Sequence, residues 1–311
     1  ENKNVIIATT NGMPKHTDNS VEVHKMLEIE NIDVGTGNIR FDGSIFVKGN
    51  VCEGMELSAS EDIVIGGIVE SAMITSGSNI SIAQGVIGKK KSENGEYENS
   101  TILQADGDIN AQFIQYTDVF AKHNIMIAQY ISHSQIIVEG DLWVGNIAND
   151  KADGKVFGSL VQSGGVIQVG TLGSTSGAMT HLNFNYWVDR VEKLRIEADE
   201  KSTKIIKRLP KIYKLLQNST TLEDDKKQKI DRIKNSLLQH LCLLGNLNQE
   251  WLETEHKISD QLDKIELFVY HSILSGVEVT VSSKTCAFKR EYEATKVLWV
   301  ENNFNIEPIV S

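Results

Sequence analysis

The chain has 311 residues, a net charge of −11 and 40% hydrophobic residues, an ordinary globular composition with room for two or three domains. No run of 18 apolar residues is present, so no segment reads as a membrane-spanning helix. The acidic balance excludes a nucleic-acid binder, which needs a basic footprint to displace counterions.

The imbalance is local. Residues 1–181 carry 11 Lys+Arg against 22 Asp+Glu, whereas the remainder carries 20 against 20. The opening ENKNVII has neither a Met nor the regions of a signal peptide, which reads as an excised fragment. Cys52, Cys242 and Cys286 are far apart and form no CxxC or Cys/His pair. Such a set predicts reduced thiols in a cytoplasmic protein, not a disulfide framework or a zinc site.

In chain order, residues 1–37 hold strand-like runs (VIIATT, VEVHKMLEIENIDV) and are predicted to form an N-terminal β cap. Residues 38–181 repeat the pattern aliphatic-x-aliphatic at Ile45/Val47, Ile63/Ile65, Ile80/Ile82, Ile109/Ala111, Ile125/Ile127, Leu142/Val144 and Ile167/Val169. The steps are 18, 17, 29, 16, 17 and 25 residues. A second series follows at Val51, Val69, Ile87, Ile114, Ile131, Ile147 and Leu172, and a third at Leu57, Ile74, Leu103, Phe120, Ile137 and Val161. A helix needs a period near 3.6 and a simple strand a period of 2. Three interleaved series instead predict a three-sided parallel β-helix of about 17 residues per coil. The alternative is a Val/Ile-rich sandwich, which near-equal coils disfavour.

Two polar stretches, 89–100 and 148–157, account for the long steps. Both are expected to be loops inserted at one fixed corner, after the second strand of their coils, where they leave the stack undisturbed. Gly49, Gly66, Gly67, Gly85, Gly140 and Gly145 are expected at corners that need positive φ. If the first series faces inward, Phe46, Val64, Ser81, Asn110, Met126, Trp143 and Gln168 form an outward column. On the third face the adjacent pairs Met73-Ile74, Ile102-Leu103, Val119-Phe120, Ile136-Ile137 and Leu160-Val161 must leave one apolar side chain of each outside. Such a stripe calls for a cover, either the chain's own helices or a partner.

From residue 182 the apolar spacing becomes three and four, so 182–271 are predicted as an antiparallel coiled-coil hairpin of two long helices. Ser219 or Thr220 would cap the second arm, and Pro210 should kink or break the first. The lysines of the first arm (Lys201, Lys204, Lys207, Lys211, Lys214) read as a solvated face or, less simply, as a phosphate site. Residues 272–311 regain strand texture and are expected to return to the solenoid.

No residue pattern for catalysis stands out. His123 and His133 are predicted to lie on different faces, and His240 and His256 on the helical arm. Asp106-Gly107-Asp108 and Glu139-Gly140-Asp141 could bind a cation but read more simply as corner turns. GxSxG, Walker, GGxGxD and dinucleotide glycine motifs are absent. No catalytic residue, metal ligand or cofactor is therefore expected. A hexapeptide-repeat acyltransferase, a polysaccharide lyase and a self-polymerising cytoskeletal solenoid are the competing classes. A scaffold that needs no site chemistry accounts best for an apolar outer stripe and a long arm.

The run TGNIRFDGSIFVKGNVCEGMELSASEDIVIGGIVESA (36–72), with NGMPKHTDNSVEV upstream and GVEVTVSS…VLWVENNFNIEPI at the end, resembles the flagellar assembly protein A family. The coils also resemble those of bactofilins, which implies right-handed winding. The resemblance implies a cytoplasmic, non-enzymatic bacterial protein of flagellar assembly, acting at a cell pole, with a further N-terminal domain. It also implies a partner, the glucose-specific phosphocarrier of the sugar phosphotransferase system, bound when unphosphorylated. Flagellar pole components and further copies of the chain are other expected partners. Candidate contact residues are Phe46, Met126 and Trp143 on the outer column, with Tyr97 and Phe157 in or beside the two inserts.

Overall fold

The computed structural model describes residues 13–17, 20–93, 96–146, 148–149, 151–217, 224–262 and 265–309. The chain divides into two compact units: residues 1–186 with 263–311, and residues 187–262.

The first unit is a stack of parallel coils, each built from three short strands. On the first face Ile45, Ile63, Ile80, Ile109, Ile125, Leu142, Ile167 and Leu267 stand in register from coil to coil. On the second, Ile32, Val51, Val69, Val86, Ile114, Ile131, Val156, Leu172 and Ile273 do the same. On the third the column is Leu57, Ile74, Leu103, Val119, Ile136, Val161, Leu182 and Val279. All are buried. Each contributes roughly 1.5–3 kcal/mol of apolar burial, so the three columns are the core.

Faces one and two belong to one 14-stranded sheet, and face three is a separate 10-stranded sheet. The strands Ile109–Gln115 and Ile167–Leu172 run from the first face onto the second, with register irregularities at Ala111/Phe113 and Val169/Thr171. These irregularities turn the strand while keeping its pairing with the next coil. The parallel ladder of the first face begins with Met26–Ile29. At the far end, Glu266–Ile273 pairs antiparallel with Thr295–Val300, and Val277–Val281 with Lys284–Phe288.

Several sequence expectations need correction. On the second face Val86, not Ile87, is the buried member; Ile87 pairs with Glu70 and Gln115 and is half-buried. Ile147 lies outside the described residues, and Val156 fills the expected place. On the third face Val119 and Ile136 point in, leaving Phe120 and Ile137 half-buried outside. The outer apolar residues of that face do not form one column. Met73 and Ile102 share a register position with Leu160, whereas Phe120 and Ile137 occupy the position two residues on. Met73, Ile102 and Leu160 are exposed.

The inserts also occupy two corners, not one. The hairpin Lys90–Glu93/Glu96–Asn99 leaves between the second and third faces. Residues 145–154 leave between the first and second, where the Asp153 carboxylate accepts bonds from the Asn146 amide (2.8 Å) and Asn149 Nδ2 (2.9 Å). Neither insert interrupts a column. Replacing 90–99 with a short Gly-rich turn is expected to change stability by less than about 1 kcal/mol, checked by thermal melting. A loss of several kcal/mol would show that the hairpin supports the coils.

Of the six corner glycines, only Gly145 has positive φ. Gly66 is required for another reason: an added Cβ would strike the Lys48 carbonyl of the preceding coil. Positive φ falls instead at the second-to-third corner, on Ser71 (44°), Tyr116 (49°) and His133 (50°). There an L-residue costs about 1 kcal/mol. The Tyr116 and His133 rings stack at 5.1 Å, an attraction that offsets part of this cost.

The second unit contains α1 (Tyr186–Gln217, whose first residue belongs to the first unit) and α2 (Asp224–Leu262). Lengths of about 48 and 58 Å follow from the helical rise. An ion pair of Arg190 with Glu250 sets the start of α1 beside the later part of α2, an antiparallel arrangement. The α1 helix continues through Pro210 to Gln217 and is not broken there. Ser219 and Thr220 lie outside the described residues.

Candidate functional site

The outward column of the first face follows the predicted order. Phe46 pairs in register with Val64, then Ser81, Asn110, Met126, Trp143 and Gln168. The spacing of about 4.8 Å per strand puts Phe46 roughly 19 Å from Met126, with polar Ser81 and Asn110 between them. Met126 and Trp143 are therefore neighbours, while Phe46 and Val64 form a separate spot. Phe157 is on the second face, and the Tyr97 side chain lies outside the described residues.

Around Met126 and Trp143 is a shallow depression of about 280 Å³, lined also by Asn124, Ile125, Asp141, Leu142 and Gln168. Trp143 is half-buried, and its indole Nε1 donates to the Gly145 carbonyl at 3.0 Å. This bond limits the ring's freedom before any contact is made. On one side Gln168 Oε1 accepts from the Tyr270 hydroxyl at 2.8 Å. Burial raises the Tyr270 pKa, which keeps that donor protonated. Beyond it Lys296 lies 4.7 Å from the Phe268 ring centroid and pairs with Glu266 at 2.9 Å. Phe268 and Tyr270 lie in the stretch up to residue 271 whose spacing was read as helical, whereas the helix ends at Leu262 and Glu266–Ile273 is a strand. Their signal was the strand alternation in ELFVYHSI.

On the other side runs a ladder of Asp and Asn side chains at the third-to-first corner. Asp108 Oδ1 accepts from the Asn124 amide (2.8 Å), Asn124 Oδ1 from the Asp141 amide (3.0 Å), and Asp141 Oδ1 from the Val166 amide (2.7 Å). Lower in the ladder Asp62 is held below the usual carboxylate range by the Ser78 hydroxyl and the Asn79 amide. The two acid-Gly-Asp turns are thus built into corner hydrogen bonding. Among the described residues no group of three or more His, Cys, Asp and Glu could hold a metal ion.

The second face carries an aromatic cluster that the sequence reading missed. Phe113 stacks on Tyr130 (5.2 Å), Tyr130 on Phe157 (6.4 Å), and His133 meets Phe157 edge-on (5.9 Å). Its only signal was the 17-residue step from Phe113 to Tyr130. Because the rings stack on one another, their faces are largely occupied. The cluster reads as reinforcement of the coil stack, and it engages Phe157 in that role. On α1, Lys201 and Lys204 pair with Glu197 (2.5 Å) and Glu200 (3.8 Å), which favours the solvated face over a phosphate site. No helix among the described residues is long and apolar enough to cross a membrane.

Residues 25–304 match the Flagellar Assembly Protein A beta solenoid domain. No curated protein and no solved structure matches the chain. With nearly the whole chain matched, and with parallel coils observed where the match lies, the chain belongs to the flagellar assembly protein A family, through its β-solenoid domain.

Proposed function

We propose that the chain is a non-enzymatic scaffold of bacterial flagellar assembly whose first face docks the unphosphorylated glucose-specific phosphocarrier. The observation behind the docking site is the Met126–Trp143 depression, an apolar floor beside the Asp141 carboxylate. A half-buried Trp whose indole N–H is already bonded offers area at little entropic cost, as interface hot spots do. Phosphorylation adds nearly two negative charges to a partner. Next to Asp141, on coils whose residues 1–181 hold twice as many acids as bases, that charge would be repelled. One surface would thus accept the uncharged state and reject the charged one.

Titration calorimetry with the carrier in both states tests this. The unphosphorylated form is expected to bind, and phosphorylation to weaken it by about tenfold or more. Trp143→Ala is expected to weaken it by about thirtyfold, the scale of a central aromatic anchor, and Met126→Ala by less. Binding that ignores Trp143→Ala and Met126→Ala would remove the depression as the docking site.

A further inference from the structure

The depression at Trp143 has a counterpart on the same face that the chain itself fills. Trp143, Gln168 and Phe268 stand in register on successive coils. Two residues before them come Asp141, Val166 and Glu266. Residues two apart in a strand share a face, about 6.6 Å from each other. The pattern acid-x-aromatic therefore occurs as Asp141-x-Trp143 and again as Glu266-x-Phe268, at the same two positions of the face. No other pair in the column from Phe46 to Phe268 joins an acid to an aromatic ring. At Glu266-x-Phe268 the neighbouring antiparallel strand supplies Lys296. Its ammonium lies 2.9 Å from Glu266 Oε1 and 4.7 Å from the centre of the Phe268 ring. One cation thus meets the carboxylate and the π face together.

At Asp141-x-Trp143 the chain supplies no such cation. Asp141 is exposed, and its Oδ1 accepts the Val166 amide. Among the described residues no Lys, Arg or His pairs with its carboxylate or lies over the Trp143 ring. Lys122, in the preceding coil, is paired with Asp106 at 2.7 Å. We propose that the depression takes a Lys or Arg side chain of the docked protein, with its charge on Asp141 and its stem on Trp143 and Met126. Trp binds a cation better than Phe does, and Met126 gives the methylenes of a long side chain an apolar bed. A purely apolar side chain would instead desolvate the Asp141 carboxylate without compensating it. Which protein carries the cation rests on the docking proposed above; the chemistry of the side chain does not.

The first probe is the peptide acetyl-Ala-Arg-Ala-amide, compared with its citrulline analogue, which keeps the shape and loses the charge. The readout is the indole N–H resonance of Trp143 in the whole chain, assigned by its loss in Trp143→Phe. At equal millimolar concentrations the Arg peptide is expected to move this resonance about twofold further or more, and Asp141→Asn to abolish the difference. Asn fits the position, since Asn124 Oδ1 makes the corresponding bond one coil earlier. Equal shifts from the two peptides overturn the proposal, as does a difference that persists in Asp141→Asn. The second probe is the unphosphorylated carrier, whose dissociation constant Asp141→Asn is expected to raise about tenfold. A carrier that binds wild type and Asp141→Asn alike overturns the proposal. A carrier that binds neither, beside a charge-dependent peptide shift, removes the carrier as partner and supports the cation site.

Discussion

Ile80→Asp is expected to leave the chain without its folded coils. Ile80 is fully buried, in register with Ile63 below and Ile109 above. Removing the side chain alone costs about 2–5 kcal/mol in a packed core. The introduced carboxylate then has no cation in the column, so it must either be buried charged or take up a proton. Together these exceed the roughly 5–15 kcal/mol by which domains are stable, or come close to it. Circular dichroism and thermal melting would show loss of the β signal and of the cooperative transition. Ser81→Asp, one residue along and half-exposed, should shift the melt only slightly. A wild-type melt for Ile80→Asp would refute the inward assignment of the first series.

Gly88→Ala should be the most damaging single-methyl addition in the solenoid. Gly88 is buried, and its amide donates to the Gln115 carbonyl at 2.8 Å. An added Cβ would overlap the Tyr116 carbonyl oxygen and come within 2.8 Å of Thr101 Oγ1. The obstacle is backbone, and it sits beside the positive-φ corner at Tyr116, so neither coil can yield without breaking a ladder bond. Overpacking of this kind costs about 1–3 kcal/mol, with a further contribution of about 1 kcal/mol if the Gln115 bond is lost. Denaturant unfolding would measure it, and a loss below about 0.5 kcal/mol would show that the two coils can separate locally.

The legibility of the coils in the sequence varied face by face, for identifiable reasons. On the first face polar or small residues such as Ser81 and Asn110 alternate with isoleucines, so inside and outside separate cleanly. On the third face Val119-Phe120 and Ile136-Ile137 are apolar at both positions. Hydrophobicity is then silent about direction, and only pairing with Leu103 fixes it. On the second face the spacing of Ile147 fits the repeat, but Val156 holds the column position, which moves the second insert by one corner. Of the candidate contact residues, Met126 and Trp143 were brought together because their steps contain no insert. The Phe113–Tyr130–Phe157 cluster was hidden because residues 145–154 separate its last member from the repeat. Phe268 was hidden beside a whole inserted unit, in the stretch whose spacing was read as helical.

That inserted unit has a consequence for how the protein is made. The strand Thr180–Asn183 pairs with Val277–Val281, and Ile167–Leu172 with Glu266–Ile273. Residues 184–265 are synthesised between the two members of each pair. At about 5–20 residues per second, the last complete coil waits roughly 4–16 s for its covering strands. Through that interval a nascent chain presents two unpaired parallel edges, the surface most prone to recruit foreign strands. The antiparallel strands that end the stack are translated last. Slower translation across residues 184–265 therefore lengthens the time for which those edges stay open, a hazard that the stability of the finished coils does not remove.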